Sequence, residues 1–492
     1  MHYISTRDAS LRYSAAEAIE QGLSRDGGLF LPEKLPALPE LGLLCGMNYE
    51  QRAAAIMKLF LDEFSEEELA AFAAAAYGPE KFDTPEVAPV VSLHHKTHVL
   101  ELWHGPTCAF KDMALQMLPY LLTASMQKNG EEKTVCILVA TSGDTGKAAL
   151  EGFRDVDHTQ ILVFYPKDGV SDIQQLQMVT QEGKNVGVCS VVGNFDDAQT
   201  GVKRIFSDAD FRQQLLERGY VLSSANSINW GRVLPQIVYY ISAYCDLINA
   251  GKLEKGQLLN VCVPTGNFGN ILACFYAKQM GLPVGKMICA SNANNVLTDF
   301  LRTGVYDRNR PFYTTASPSM DILISSNLER LLYAMTGSDA EVRAYMKSLN
   351  ESGRYEVSPA VLAQIKEHFV SGCCDDARTL NAIGKLFENT GYLMDTHTAV
   401  AHTVLHDYRA ATADDTPALV VSTASPFKFC DNVLKALGVT ELEKGTDILD
   451  QLTAVSGKNA PKPLAQLAGK PVRFTQVTEK EAMSAVVEGM LR

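Results

Sequence analysis

Apolar residues change rhythm along this chain. Through residues 1–95 they recur at helical spacing, in Ala53–Phe64 and Glu66–Tyr77, which predicts a mainly helical N-terminal lobe broken by the loop Gly-Gly-Leu-Phe-Leu-Pro at 27–32. From 96 to about 300 the rhythm shortens. Val99–Trp103, Thr134–Ala140, Ile161–Tyr165, Asn260–Val263 and Lys286–Ala290 read as buried strands, with helical periods between them. That alternation predicts parallel βαβ units. Charged, helix-period sequence fills about 325–410, after which Ala418–Thr423 returns to the continuous apolar run of a buried strand, followed by a helix at Phe429–Leu437. The late strand is expected to rejoin the earlier sheet. The pattern divides the chain into 1–95, an α/β region 96–440 in two lobes with a cleft between them, and an extension 441–492 packed upon it.

Composition narrows the partner. At 492 residues the chain exceeds one ordinary domain, so two or three cores are expected. Its net charge of -13 offers no basic face, which argues against nucleic acid or an anionic membrane and favours a small molecule. The eleven cysteines are odd in number and contain no Cys-x-x-Cys, the pattern of reduced, buried thiols. No uncharged apolar run reaches the roughly 18 residues of a membrane span, and the first residues lack a secretory pattern. A cytoplasmic protein is expected.

One lysine stands out. The run His104-Gly105-Pro106-Thr107-Cys108-Ala109-Phe110-Lys111-Asp112 places Lys111 after a strand and at the head of an apolar helix carrying Met113, Leu115, Met117 and Leu118. Apolar surroundings penalise the ammonium and favour the free amine, so Lys111 is a candidate Schiff-base nucleophile.

Two glycine-rich turns could hold an anion. Strand Asn260–Val263 runs through Pro264-Thr265-Gly266-Asn267-Phe268-Gly269-Asn270 into the helix Ile271–Met280, so that backbone N–H groups and a helix N-terminus converge on one point. The spacing is neither a Walker A loop nor G-x-G-x-x-G, and a strand-to-helix turn that merely needs glycine reads the same. Thr141-Ser142-Gly143-Asp144-Thr145-Gly146 follows Thr134–Ala140 and opens a helix at Lys147–Phe153, suiting a carboxylate or phosphate. Asp144 is equally an expected helix cap. Ser224, Asn226, Ser227 and Asn229 precede another helix, Val233–Leu247, where Arg232 could clamp a phosphate or lie solvated. Thr423 and Lys428 follow the last buried strand, at the end where ligands collect in open α/β sheets. A metal is not expected, because His402 and His406 are four apart without the glutamate of His-Glu-x-x-His, and His397 is out of register with both.

A Schiff-base lysine, a glycine-rich phosphate cup and a hydroxyl beside a ring nitrogen together describe a pyridoxal phosphate site. The motifs His104–Asp112, Thr141–Gly146, Ser224–Asn229, Pro264–Asn270 and Thr423–Phe429, with the opening Tyr3-Ile4-Ser5-Thr6-Arg7, resemble threonine synthase of the longer bacterial and fungal type over roughly residues 1–440. The resemblance implies an α/β, fold-type II pyridoxal-phosphate-dependent enzyme, tryptophan synthase β-like, with two parallel-sheet lobes, helices on both faces and the helical N-terminal lobe. It implies a cofactor carried on Lys111, its phosphate held by Gly266, Asn267, Phe268, Gly269 and Asn270, and Thr423 facing the pyridine nitrogen. It also implies substrate contacts from Thr141, Ser142, Asp144, Thr145, Ser224, Asn226, Ser227, Asn229, Arg232 and Lys428. The implied reaction is that of a carbon–oxygen lyase turning O-phospho-L-homoserine and water into L-threonine and phosphate, in a monomer or homodimer. Another lyase of the same cofactor class, such as a serine/threonine dehydratase or a phospho-lyase, is the alternative; a non-catalytic phosphate-binding protein leaves Lys111 unexplained. Asn270, Ser425 and Cys108 stand where the family commonly has aspartate, histidine and leucine.

Overall fold

Two parallel sheets form the centre of the computed structural model, which describes residues 1–94, 96–141, 143–167 and 170–491. The larger sheet has six strands in the order Phe369–Cys373, Val284–Ser291, Leu259–Pro264, Ala418–Ser422, Thr97–Glu101 and Val90–Ser92, parallel except for the last, an antiparallel edge. The smaller has five, all parallel, in the order Val477–Thr478, Val186–Val191, Thr159–Pro166, Thr134–Ala140 and Tyr220–Ser223. Helices cover these sheets, and strands enclosed on both faces must be apolar throughout. Leu259–Pro264 and Ala418–Ser422 are accordingly buried at every position.

The late strand does rejoin the earlier sheet. Val420 lies opposite Val99 on one side and Cys262 on the other, which places Ala418–Ser422 in the interior of the six-stranded sheet. The strands expected from periodicity are present, with ends moved by a residue or two; Val99–Trp103, for example, is Thr97–Glu101. Val186–Val191, Tyr220–Ser223, Phe369–Cys373 and Val477–Thr478 were not legible in the pattern. Glycine and serine dilute the apolar run in Val186–Val191 and Phe369–Cys373, and Tyr220–Ser223 is only half-buried along its length.

Residues 1–95 carry the helices Ala15–Gln21, Leu41–Cys45, Tyr49–Lys58 and Glu66–Tyr77, together with an antiparallel pair, Tyr3–Ser5 and Phe30–Pro32. The helix read as Ala53–Phe64 begins earlier and stops at Lys58, where the chain turns. This region does not enclose an interior of its own. Tyr3 and Phe60 pack on Trp230, with ring centroids 5.6 and 5.8 Å away, and share one apolar cluster with both sheets. Trp230 opens the helix Trp230–Asn249, which is buried almost all round and therefore apolar almost all round. Val90–Ser92 from the same region extends the large sheet, just as Val477–Thr478 from the C-terminal stretch extends the small one.

The arrangement brings five connections together at the carboxyl ends of parallel strands. Lys111 follows Thr97–Glu101, Asp144 follows Thr134–Ala140, Ser224 follows Tyr220–Ser223, Gly266 follows Leu259–Pro264 and Thr423 follows Ala418–Ser422. Ligands gather at this end of an open α/β sheet.

Candidate active site

Lys111 is held by backbone rather than by its own helix. The Phe110 N–H donates to the Thr423 carbonyl at 2.8 Å and the Ser425 N–H to the Cys108 carbonyl at 3.1 Å, so the lysine segment is stitched to the end of the central strand. Cys108 takes a left-handed conformation, with φ of 57°, which turns the chain between Thr107 and Lys111. Asp112 accepts from the Thr107 N–H at 2.8 Å and hydroxyl at 2.6 Å and closes that turn from inside. Burial pushes the Asp112 carboxyl up to about 6, against the pull of those two bonds.

The Lys111 amine lies 4.9 Å from the centre of the Phe110 ring and 3.7 Å from Asp144 Oδ2. Burial lowers its affinity for a proton; Asp144 opposes this, while the cations of Lys428 and Arg232 add to it. The outcome is an amine held below the ordinary lysine value, as a nucleophile requires.

Asp144 is the centre of charge. Its side chain makes no capping bond to the helix Asp144–Phe153; instead Oδ1 accepts from Lys428 Nζ at 2.6 Å and Gln174 Nε2 at 3.0 Å, and Oδ2 from the Ser319 hydroxyl at 3.3 Å. Burial alone would raise this carboxyl, but Lys428 and then Lys111 outweigh it and hold it well below the usual carboxylate range. Lys428 is fully enclosed and also donates to the Thr107 carbonyl at 3.1 Å. The turn expected to be an anion cup is thus a carboxylate between two lysines. Thr141 shapes it: its hydroxyl accepts from the N–H groups of Gly143 and Gly146 at 3.0 and 2.9 Å, which commits it to the turn. Thr145 is half-buried in the first helical turn, and Ser142 lies outside the described residues.

The second turn has no charge. Phe268, with φ of 64°, swings the chain from Leu259–Pro264 into the helix Gly269–Met280. Its carbonyls are tied from behind: Gly266 O accepts from the Ser325 hydroxyl at 2.8 Å, and Asn267 O from the Asn327 N–H and side-chain amide at 3.0 and 3.1 Å. At Gly266 a β-carbon would stand 2.8 Å from the Ser319 carbonyl oxygen, so only glycine fits. The expectation for Asn270 needs correcting as far as its side chain goes. That side chain points away into the core, where Oδ1 accepts from the hydroxyls of both Tyr239 and Tyr240 at 2.5 Å while Nδ2 has no partner. The reason is register: Asn270 lies one residue inside the helix, on the face packed against Trp230–Asn249.

The remaining candidates divide in the same way. Asn229 is a cap, its oxygen accepting from the Gly231 N–H at 2.8 Å and its amide donating to Ile19 O at 2.9 Å, so both ends of the side chain are committed. Ser224 accepts from the Asn226 N–H at 3.2 Å, Asn226 is exposed, and Ser227 contacts Ser326 at 3.4 Å. Arg232 is buried rather than solvated. One guanidinium nitrogen donates to Ala225 O at 2.7 Å, but Nε has no partner, and burial pulls the group down to about 10. A buried guanidinium with an unpaired donor has the capacity to take an anionic partner. Thr423 is buried beside the Lys111 loop.

Sequence reading missed the strap that joins these parts. Ser317-Pro-Ser-Met-Asp-Ile-Leu-Ile-Ser-Ser-Asn327 lies across the glycine cup and supplies Ser319, Ser325 and Asn327. Its polar, serine-rich and aperiodic text sits just before the charged helical stretch and was legible only as a loop. His397, whose sequence position suggests at most a metal ligand, accepts from the Ser319 N–H, and among the described residues no cluster of three metal-binding side chains occurs.

With the geometry in place, comparison with known proteins identifies relatives. The family models "Threonine synthase N terminus", "Pyridoxal-phosphate dependent enzyme" and "Threonine synthase, C-terminal" match residues 2–77, 88–425 and 398–487. The chain is 37% identical to threonine synthase of Schizosaccharomyces pombe over 467 residues, 88% of this chain and 89% of that one. It is 41% identical to human "Threonine synthase-like 1" over 94% of its own length, but spans only 64% of that longer protein. The solved structure of PLP-bound threonine synthase from Brucella melitensis superposes over all of both chains with a TM-score of 0.88 and 36% identity.

Proposed function

This chain belongs to the threonine synthase family of pyridoxal-phosphate-dependent enzymes, and from that premise we propose that it converts O-phospho-L-homoserine and water into L-threonine and phosphate. The observation that carries the reading is Lys111, an amine held below its ordinary proton affinity and joined through Asp144 and Ser319 to a glycine cup whose carbonyls are tied back. The residues fit the cofactor. A glycine-rich turn without charged side chains, in which Gly266 lets the strap approach closely, and the start of the helix Gly269–Met280 with its backbone N–H groups suit a phosphate dianion. Lys111 would carry the aldehyde carbon and Thr423 would meet the ring nitrogen without adding charge.

Bound there, pyridoxal phosphate supplies an electron sink for charge developing at the substrate Cα. The chain supplies position and proton movement. With the substrate held in its place, the Lys111 amine would take the Cα proton and, once that proton has passed on, one from Cβ; phosphate leaves from Cγ, one of the two protons goes to Cγ, water adds its hydroxyl at Cβ with its own proton taken by the departing phosphate, and the other proton returns to Cα. Asp144 keeps Lys111 oriented between these steps, and Lys428 keeps Asp144 ionised. Arg232, with its unpaired Nε, is the cation best placed to meet a second anionic group on the substrate. Enclosure by the strap keeps stray water from the reacting carbons.

The eleven free thiols fit a reducing compartment such as the cytoplasm, and among the described residues no helix is long and apolar enough to cross a membrane. The assay offers O-phospho-L-homoserine, L-threonine and L-serine to the cofactor-loaded protein. Phosphate and L-threonine are expected from the first; ammonia and a 2-oxo acid from the others, without phosphate release from the first, would make the protein a dehydratase. Borohydride reduction and peptide mapping should place the cofactor on Lys111.

A further inference from the structure

We propose that the buried pair Asp395 and His397 is a positioning device for this site, acting through Ser319; the proposal rests on the cofactor reading above. Asp395 caps the helix Thr396–Thr412, accepting from the N–H groups of His397 and Thr398 at 2.9 and 3.2 Å, and the same carboxylate lies 2.7 Å from His397 Nδ1. On the far side of the ring, Nε2 is 3.1 Å from the Ser319 backbone nitrogen. A backbone N–H can only donate, so Nε2 accepts and the ring proton sits on Nδ1, toward Asp395. The Phe429 ring meets the imidazole at 4.9 Å and 60°, which fixes its plane.

Ser319 reaches both ends of the site. Its hydroxyl donates to Asp144 Oδ2, the oxygen that faces Lys111, and its carbonyl lies against Gly266 in the glycine cup. The turn that holds it, Pro318–Met320, is a single short helical turn with few bonds of its own. The strap is held on either side, at Ser317 and Asp321 by Asn292 and at Ser325 and Asn327 by the cup, and the imidazole, on a helix of seventeen residues, anchors it at Ser319 itself. Neither Asp395 nor His397 touches the reacting atoms; they set the distance between the cup and the carboxylate that orients Lys111.

The test compares wild type, His397→Ala and His397→Gln, each as apo-protein and after loading with pyridoxal phosphate. Glutamine places an oxygen near the Nε2 position and can accept the same N–H. His397→Ala should weaken cofactor affinity by about tenfold, the worth of one buried positioning bond. It should also shift the visible band of the bound cofactor and lower kcat with KM little changed; His397→Gln should recover most of each, and added imidazole should partly rescue His397→Ala. A folded His397→Ala protein with wild-type cofactor affinity and spectrum, or a His397→Gln protein as impaired as His397→Ala, would overturn the proposal. Should His397→Ala not fold, Ser319→Ala is read instead: a shifted cofactor band is expected, and an unchanged band and affinity overturn the proposal. A wild-type chain that takes up no cofactor on Lys111 overturns the functional reading itself, which the wild-type arm reveals separately.

Discussion

The turns Thr141–Gly146 and Pro264–Asn270 look alike in sequence and differ in the charge they carry. Each follows a buried parallel strand, is rich in glycine and opens a helix. In the first, the hydroxyl of Thr141 takes up two of the turn's N–H groups, and the charge that remains is the carboxylate of Asp144, which holds two lysines. In the second the turn carries no charged side chain, and the bonds from Ser325 and Asn327 go to its carbonyls. Strand-glycine-helix is therefore a frame. What occupies the frame decides whether it gathers cations or anions.

Changes at the first turn and its lysine should strike the chemistry, and changes at the second should strike cofactor affinity. The largest effect is expected for Lys111→Ala, which removes the nucleophile and proton carrier: phosphate release from O-phospho-L-homoserine should fall by more than about 10⁴-fold, and borohydride should no longer fix the cofactor. Residual turnover near wild type would displace Lys111 from its role. Asp144→Asn leaves the buried Lys428 without its counter-charge, at about 3–5 kcal/mol, so the melting temperature and kcat should both drop. Its pH signature has a definite sign. Because Asp144 is held below the ordinary carboxylate value of about 3.9, its pairing stabilises the fold above that pH and is lost as pH falls further. Acid melting curves of the two proteins should therefore differ most at neutral pH and converge in strong acid; parallel curves would refute this.

Gly266→Ala tests the other turn. The added methyl meets the Ser319 carbonyl, so cofactor affinity should weaken by about tenfold while the amine at Lys111 stays reactive. Equilibrium dialysis against pyridoxal phosphate reads this directly, and equal losses for pyridoxal without its phosphate would mean the cup does not bind phosphate. Thr423→Val should have the smallest effect, a weakening of about fivefold for one lost hydrogen bond. Unchanged affinity and kinetics would remove Thr423 from the cofactor's surroundings.

Much of this site was legible as text. Lys111, the glycine turn at 264–270 and Asp144 were found because each combines a chemically distinctive residue with a strand before it and a helix after it. Asn229 and Asn270 were legible as polar residues in the right loops, yet their side chains serve a cap and a tyrosine pair. Which way a polar side chain points at a helix start depends on helix register, and one residue reverses it. The strap at 317–327 and the Asp395–His397 pair escaped because serines in a loop and a histidine at a helix start have no spacing signature; their roles exist only across long sequence separations.

Local pattern by itself determined the parallel α/β character of this protein, the strands that carry its loops, and a lysine in apolar surroundings as the candidate reactive group. These follow from periodicity and residue chemistry, which are properties of neighbouring residues. Tertiary structure decided the charges around that lysine, which of the two turns carries a carboxylate, and that Ser319 contacts both the cup and that carboxylate. Asp144 meets Lys428 and Ser319, and Ser319 meets His397, only after the chain has folded. Electrostatic pairing and the desolvation that sets a buried amine's proton affinity depend on distance in space, and the sequence records only distance along the chain.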